Sequence, residues 1–334
     1  MKIGKEVTML LSLVVPSYNE EKNIALFYNT VKECFADKIE NYEVIFIDDG
    51  STDATYREIE LLHEQYRNVR AISFSRNFGK EAAIYAGLEA SRGDLVCLID
   101  ADLQQHPRVV LEMLEEMRDD DSIDCVAAYQ KKRIEGKLMS FAKGTYYRLI
   151  NRISDVNYVK NASDFRLMKR QMVDAILSLS ESQRFSKGIF SFVGFRTKYI
   201  PYVAEQRANG TSKFSVRKLI KYATSGLTAF STAPLKFSAY LGILSALGSV
   251  VYFIVLLVMK FGMSLPVPSY GIPAVVLLFM GGVQLFCLGI VGSYIAKMHV
   301  ELKHRPIYIA RATLDHPEEN ASAAAQSGAS GENE

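Results

Sequence analysis

Two carboxylates, Asp100 and Asp102, stand two residues apart where an apolar run ends, in Leu98-Ile99-Asp100-Ala101-Asp102-Leu103-Gln104. In an extended segment that spacing turns both side chains to one side of the backbone, just past the carboxyl end of a strand. Open α/β sheets bind their ligands at that edge. Two carboxylates there repel unless a cation joins them, and hard oxygen ligands suit magnesium or manganese carrying a substrate diphosphate. The same residues could instead cap the helix that starts near Pro107. Two further polar clusters, Pro16-Ser17-Tyr18-Asn19-Glu20 and Asp48-Asp49-Gly50-Ser51, follow apolar runs of their own. Each alone reads as a capped loop. Three at one sheet edge outline a nucleotide pocket, with Asp49 able to accept from a base N–H and Asp102 able to hold a metal. No Gly-x-x-x-x-Gly-Lys-Ser/Thr loop occurs, nor a Gly-x-Gly-x-x-Gly after a strand, so neither a P-loop NTPase nor a dinucleotide fold is supported.

The elements that must position these clusters are legible up to about residue 130. Apolar runs at Leu10–Val15, Val44–Ile47, Val69–Phe74, Leu95–Ile99 and Cys125–Ala128 predict strands. Between them Glu20–Phe35, Thr52–Tyr66, Lys80–Ser91 and Pro107–Arg118 predict helices, with Asp53 and Ser91-Arg92-Gly93 as start and stop signals. Strands apolar on both faces and alternating with helices mean a mostly parallel sheet covered on both sides. Beyond 130 the alternation fades into helix-rich sequence with loops. No internal repeat is present.

Of the 334 residues, 49% are hydrophobic and mean hydropathy is +0.05, high for a wholly soluble protein. The excess lies in Phe237–Met259 and Ile272–Ala296, neither with an Asp, Glu, Lys, Arg or His side chain. Each is long enough to cross roughly 30 Å of hydrocarbon. Lys213, Arg217, Lys218, Lys221 and Lys236 precede the first run, and Lys297, Lys303, His304 and Arg305 follow the second. The positive-inside rule then puts both termini in the cytoplasm and the uncharged Gly262–Gly271 loop outside. Ser215–Phe230, apolar on one side and basic on others, predicts a helix lying along the membrane surface. The Val7–Val15 run is too short for a signal peptide and lacks a cleavage site, so it reads as a first strand. Cys34, Cys97, Cys125 and Cys287 have no paired spacing, which fits a reducing compartment and argues against a zinc site or disulfide framework. A net charge of +2 gives no sign of a nucleic-acid partner. The resulting division is a catalytic domain over 1–212, an amphipathic juxtamembrane helix over 213–234, two transmembrane helices over 235–310 and a disordered tail over 311–334.

The ordered set VVPSYNE, IDDGSTD, RNFGKEAAIYAGL, IDADLQQHP, SDFRLM and RANGTSKF, followed by two apolar spans, resembles the family 2 glycosyltransferases of GT-A fold. Within them it is similar to the polyprenyl-phosphate branch, which holds bactoprenol glucosyltransferases and dolichol-phosphate mannose synthase. The likeness covers roughly residues 9 to 310. It implies inverting, metal-dependent transfer of one sugar from a nucleotide-sugar to polyprenyl (undecaprenyl) phosphate at the inner face of a bacterial plasma membrane, serving cell-envelope polysaccharide. UDP-glucose is the first expectation for the donor, and Mg2+ or Mn2+ for the cofactor. By that resemblance Pro16, Tyr18, Glu20, Asp48 and Asp49 contact the nucleoside. Asp100 and Asp102, with Gln104, hold the metal on the diphosphate. Arg207 and Lys213 meet phosphates of donor or acceptor, and Asp164 stands where base or sugar is recognised. Arg133, beside Lys131 and Lys132, adds positive charge at the acceptor entrance. The family often has Gly before the Asp of GDFRLM. Here it is Ser163, which would cost roughly 1 kcal/mol if that position needs φ > 0.

Other readings stay open at this point. A processive polysaccharide synthase shares the fold but carries a Gln-x-x-Arg-Trp motif, and this chain has no Trp. A catalytically inactive scaffold recruiting a sugar-lipid flippase would use the spans alone, whose Gly242, Ala246, Gly281, Gly282, Gly289 and Ser293 suit helix packing and self-association. A scaffold has no need of Asp100, Asp102, Arg207 and Lys213 together. A metal-dependent phosphohydrolase would want a nucleophile or a His-rich cluster.

Overall fold

The computed structural model describes residues 9–130, 162–182, 184–204 and 271–316, with scattered residues between 240 and 258. Lys131, Lys132, Arg133, Arg207, Lys213, the juxtamembrane helix over 213–234, most of the Gly262–Gly271 loop and the tail from 317 lie outside the described residues.

The chain forms two compact units. Among the described residues the first holds an eight-stranded sheet and six helices. The strands are β1 (Leu11–Ser17), β2 (Tyr42–Asp48), β3 (Val69–Phe74), β4 (Leu95–Leu98), β5 (Cys125–Gln130), β6 (Ala162–Lys169), β7 (Thr197–Tyr202) and β8 (Ala310–Leu314). The helices are α1 (Ile24–Phe35), α2 (Thr55–Gln65), α3 (Lys80–Ala90), α4 (Arg108–Asp119), α5 (Arg170–Leu177) and α6 (Ser186–Phe192). Strand order is β7-β5-β6-β4-β1-β2-β3-β8. The central β4-β1-β2-β3 block is parallel, as expected from its double-sided apolar runs. Towards the flanks the sheet becomes mixed: β6 runs antiparallel to both β4 and β5, and β8 antiparallel to β3.

Strand alternation divides the core between two faces. On β2, Val44 and Phe46 join a large cluster with Phe27, Val31 and Phe35 of α1, Ile59 of α2 and Val110 and Met113 of α4. Ile45 and Ile47 point the other way, onto Ala82, Ala83 and Ala86 of α3. These small alanines seat α3 close against the sheet, which places its first residue near the strand ends.

Beyond 130 the described residues are mostly helical, as expected, but β6 and β7 also complete one flank of the sheet. One expectation needs correction: the chain is not disordered from 311. Ala310–Leu314 is an edge strand, and the Asp315 carboxylate takes two bonds from Arg70 (3.0 and 3.2 Å) and one from Arg92 (2.7 Å). Arg70 also reaches the buried Glu43 at 2.7 Å. All four cysteines are free.

The second unit contains α7 (Gly271–Glu301), 31 residues long. Its Phe279–Glu301 portion is, among the described residues, the one helix long and apolar enough to cross a membrane. Leu277, Phe279, Leu285 and Leu288 on it are exposed. The described residues between 240 and 258, which fall within the expected first span, are helical.

Candidate active site

The three polar clusters do converge at the carboxyl edge of the parallel strands, and their loops are knitted together. After β1 the chain turns at Asn19 (φ 55°), whose N–H donates to Ser51 Oγ at 3.0 Å and whose Oδ1 accepts from Thr52 N–H at 2.9 Å. Glu20 N–H donates to Thr55 Oγ1 at 2.8 Å, and the Glu20 carboxylate accepts from Asn23 at 2.6 Å. Pro16 lies within β1 and Tyr18 is exposed just beyond it.

Asp48 and Asp49 are both buried and divide their work. Asp48 accepts from Ser51 N–H at 3.0 Å and from Ser73 Oγ at 2.7 Å, tying β2 to β3 and to its own loop. Asp49 binds the loop before α3: it accepts from Phe78 N–H at 2.7 Å, Gly79 N–H at 3.0 Å and Asn77 Nδ2 at 2.9 Å. Burial raises the Asp49 pKa against the pull of the Phe78 and Gly79 amides. Gly50 sits at φ 66°, and a Cβ there would run into the Arg76 carbonyl group, so this turn requires glycine. Asp49 thereby fixes the segment from which Lys80 projects.

Beyond β4, Leu103 adopts φ 59°, a left-handed conformation costing a non-glycine residue roughly 1 kcal/mol. The turn brings Gln105, not Gln104, back onto Asp100. Gln105 Oε1 accepts from Asp100 N–H at 3.0 Å, and its Nε2 donates to Asp100 Oδ2 at 2.9 Å and to Ser163 Oγ at 3.3 Å. Gln104 contributes its backbone N–H to Asp102 Oδ1 at 3.2 Å.

Asp164 enters from β6, the strand beside β4. Lys80 Nζ joins the two strands, 2.6 Å from Asp100 Oδ1 and 3.3 Å from Asp164 Oδ2. Burial works to lower the Lys80 pKa, but the two carboxylates outweigh it and the ammonium is held charged. Burial likewise works against the Asp164 carboxylate, and Lys80, Lys187 and Arg166 more than offset it, so its pKa is lowered. Pro16, Lys80, Leu98, Asp100, Gln105 and Asp164 line one cleft. Ser163 is an ordinary strand residue, absent from the positive-φ positions, so its replacement of glycine carries no such cost. Its hydroxyl also gives Gln105 a partner that glycine lacks.

Among the described residues no group of three or more His, Cys, Asp or Glu could hold a metal. A divalent ion on Asp100 and Asp102 would need further oxygen ligands from elsewhere.

The profile of glycosyl transferase family 2 matches residues 12–177. The bactoprenol glucosyl transferase of Shigella phage SfV is 41% identical over 302 residues, covering 90% of this chain and 98% of that protein. The prophage bactoprenol glucosyl transferase homolog of Escherichia coli K12 is 39% identical over 304 residues, with 90% and 98% covered. Glucosyl-3-phosphoglycerate synthase from Mycobacterium tuberculosis, solved with Mn2+, UDP and glucosyl-3-phosphoglycerate, is 18% identical, with a TM-score of 0.47 over 66% of this chain and 79% of that one. The chain belongs to glycosyl transferase family 2, on the branch of the bactoprenol glucosyl transferases, and is a glycosyltransferase.

Proposed function

We propose that the protein transfers a single sugar, glucose from UDP-glucose in the first instance, to polyprenyl phosphate at the inner face of a membrane, with inversion at the anomeric carbon. The observation that carries this reading is the gathering of Asp100, Asp164 and Lys80 in one cleft at the edge where Asp48 and Asp49 also end their strand. The names and near-full-length match of the bactoprenol relatives support the lipid acceptor.

The chemistry asks little of a base. A phosphate monoester has a second pKa near 6, so it is already largely a dianion at neutral pH and a nucleophile as it stands. The task is to bring two anions together and stabilise charge on the departing diphosphate. A divalent ion on Asp100 and Asp102 would supply that charge neutralisation. Pro16, Tyr18, Glu20, Asp48 and Asp49 line or brace the nucleoside side. Asp164, ionised and fixed by Lys80, orients the sugar or the base rather than taking a proton. Gln104 stays with the donor set through its hold on Asp102. Arg207 and Lys213 neutralise phosphate on the donor or acceptor, and Arg133 adds positive charge at the acceptor entrance.

Membrane attachment by the juxtamembrane helix and by Phe237–Met259 and α7 would keep the lipid phosphate within reach without its leaving the bilayer. Both termini then lie in the cytoplasm, and small residues along the spans suit a homo-oligomer. The test is transfer of radiolabel to polyprenyl phosphate in detergent micelles from a panel of UDP- and GDP-sugars, with Mg2+, Mn2+ or EDTA. Labelled lipid from one donor, lost with EDTA, is the expected result. Nucleotide binding without transfer to any lipid phosphate refutes the acceptor, and no nucleotide binding at all favours a scaffold.

A further inference from the structure

Lys80 is the first residue of α3, and the preceding Gly79 at φ 102° is itself held by Asp49. The ammonium is thus delivered to one place: between a carboxylate just beyond β4 and one on the neighbouring β6. Asp100 and Asp164 facing one cleft would repel if nothing stood between them. Both oxygens of Asp100 are engaged, Oδ1 by Lys80 at 2.6 Å and Oδ2 by Gln105 at 2.9 Å. We propose that Lys80 is a resident counter-cation that occupies the metal-binding Asp100 until the donor arrives, making divalent-ion binding conditional on the nucleotide diphosphate. This rests on reading Asp100 as a metal ligand.

A divalent ion approaching alone meets a like charge at close range. It must also draw Asp100 away from Lys80, leaving the ammonium with Asp164 alone at 3.3 Å. A diphosphate supplies an anion in place of Asp100. Its oxygens can accept from Lys80, releasing Asp100 Oδ1, and they also extend a coordination sphere that two carboxylates leave short. Lysine suits the exchange, being a compact charge with rotatable donors on a flexible stem. Its side chain is 45% exposed, so it can swing without leaving a packed core. Lys80 is therefore a positioning residue that sets the order of binding.

The test is Mn2+ binding to the full-length protein in detergent, followed by electron paramagnetic resonance with and without UDP. Wild type should bind Mn2+ at least about tenfold more tightly with UDP than without. In Lys80→Gln the UDP-free affinity should rise about tenfold and the dependence on UDP should shrink. Lys80→Arg, which keeps the charge, should retain that dependence, and thermal unfolding checks that both variants fold. Equal UDP-free affinity in wild type and Lys80→Gln overturns the role of Lys80, as does binding in wild type that ignores UDP. If wild type binds no Mn2+ even with UDP, the metal reading falls and this proposal with it.

Discussion

Gln105 grips Asp100 from both sides, accepting from its backbone N–H at 3.0 Å and donating to its carboxylate at 2.9 Å. The amide is buried and bridges on to Ser163, so β4, its following turn and β6 are held in one register around the cleft. Such buried polar links are costly to break, about 1–3 kcal/mol for a group left without its partner. Gln105→Ala should lower stability by that order and reduce kcat/KM at least about tenfold, since a carboxylate out of place by an ångström forfeits much of its effect. Steady-state kinetics beside a melting curve separate the two losses. Near-normal kcat/KM in a folded variant would remove Gln105 from the supporting structure of the site.

Asp102→Ala should abolish sugar transfer and leave folding nearly unchanged. The carboxylate accepts the Gln104 N–H in a partly buried turn, a bond worth about 1 kcal/mol. Loss of a metal ligand should instead cost several orders of magnitude in turnover. Turnover close to wild type would refute the metal role.

Lys213→Ala should cut turnover sharply while leaving nucleotide affinity and melting temperature largely as they are, if the side chain meets acceptor phosphate. A rise in the KM for polyprenyl phosphate alone assigns it to the acceptor; a loss of UDP affinity moves it to the donor. Unchanged kinetics would take it out of the phosphate site altogether.

The Asp315 carboxylate has a pH signature of its own. Burial works to raise its pKa, but Arg70 and Arg92 overcome that and hold it below the ordinary value of about 3.9. In acid the unfolded chain binds this proton more readily than the native one. The contribution is therefore fully present above pH ~4 and lost as pH falls through the depressed native pKa. Asp315→Asn should destabilise by about 1–3 kcal/mol at neutral pH, and the deficit should close as the pH falls below the native pKa. Denaturant midpoints across that range report it; a deficit that does not change with pH would mean that packing, not charge, ties the strand down.

Much of this was readable from residue patterns alone. The parallel block announces itself because strands buried on both faces have little choice but to be continuously apolar. The flanks hide. In β6, Phe165, Leu167 and Met168 are buried, yet Asp164 and Arg166 interrupt the run, the latter stacked 3.6 Å over the Phe190 ring. In β8 five residues suffice because β3 supplies the partner. The site was legible where one segment carries its own logic, as in the Asp100/Asp102 pair. The roles of Lys80 and Gln105 come from contacts across strands, which no local pattern announces. The Gly79-Lys80 step in RNFGK and the doubled Gln after Asp102 were the available signals, and the φ of Leu103 decided which Gln turns inward.

The return of the chain to β8 imposes a parity rule. Strand β7 ends at Tyr202 and β8 begins at Ala310, and both belong to one sheet, on one side of any bilayer. Whatever lies between them can therefore cross a membrane only an even number of times. If α7 crosses once, an odd number of further crossings is required between 203 and 270, the interval that contains the apolar run Phe237–Met259. A reporter fused after Leu314 and another in the Gly262–Gly271 loop should then report opposite compartments.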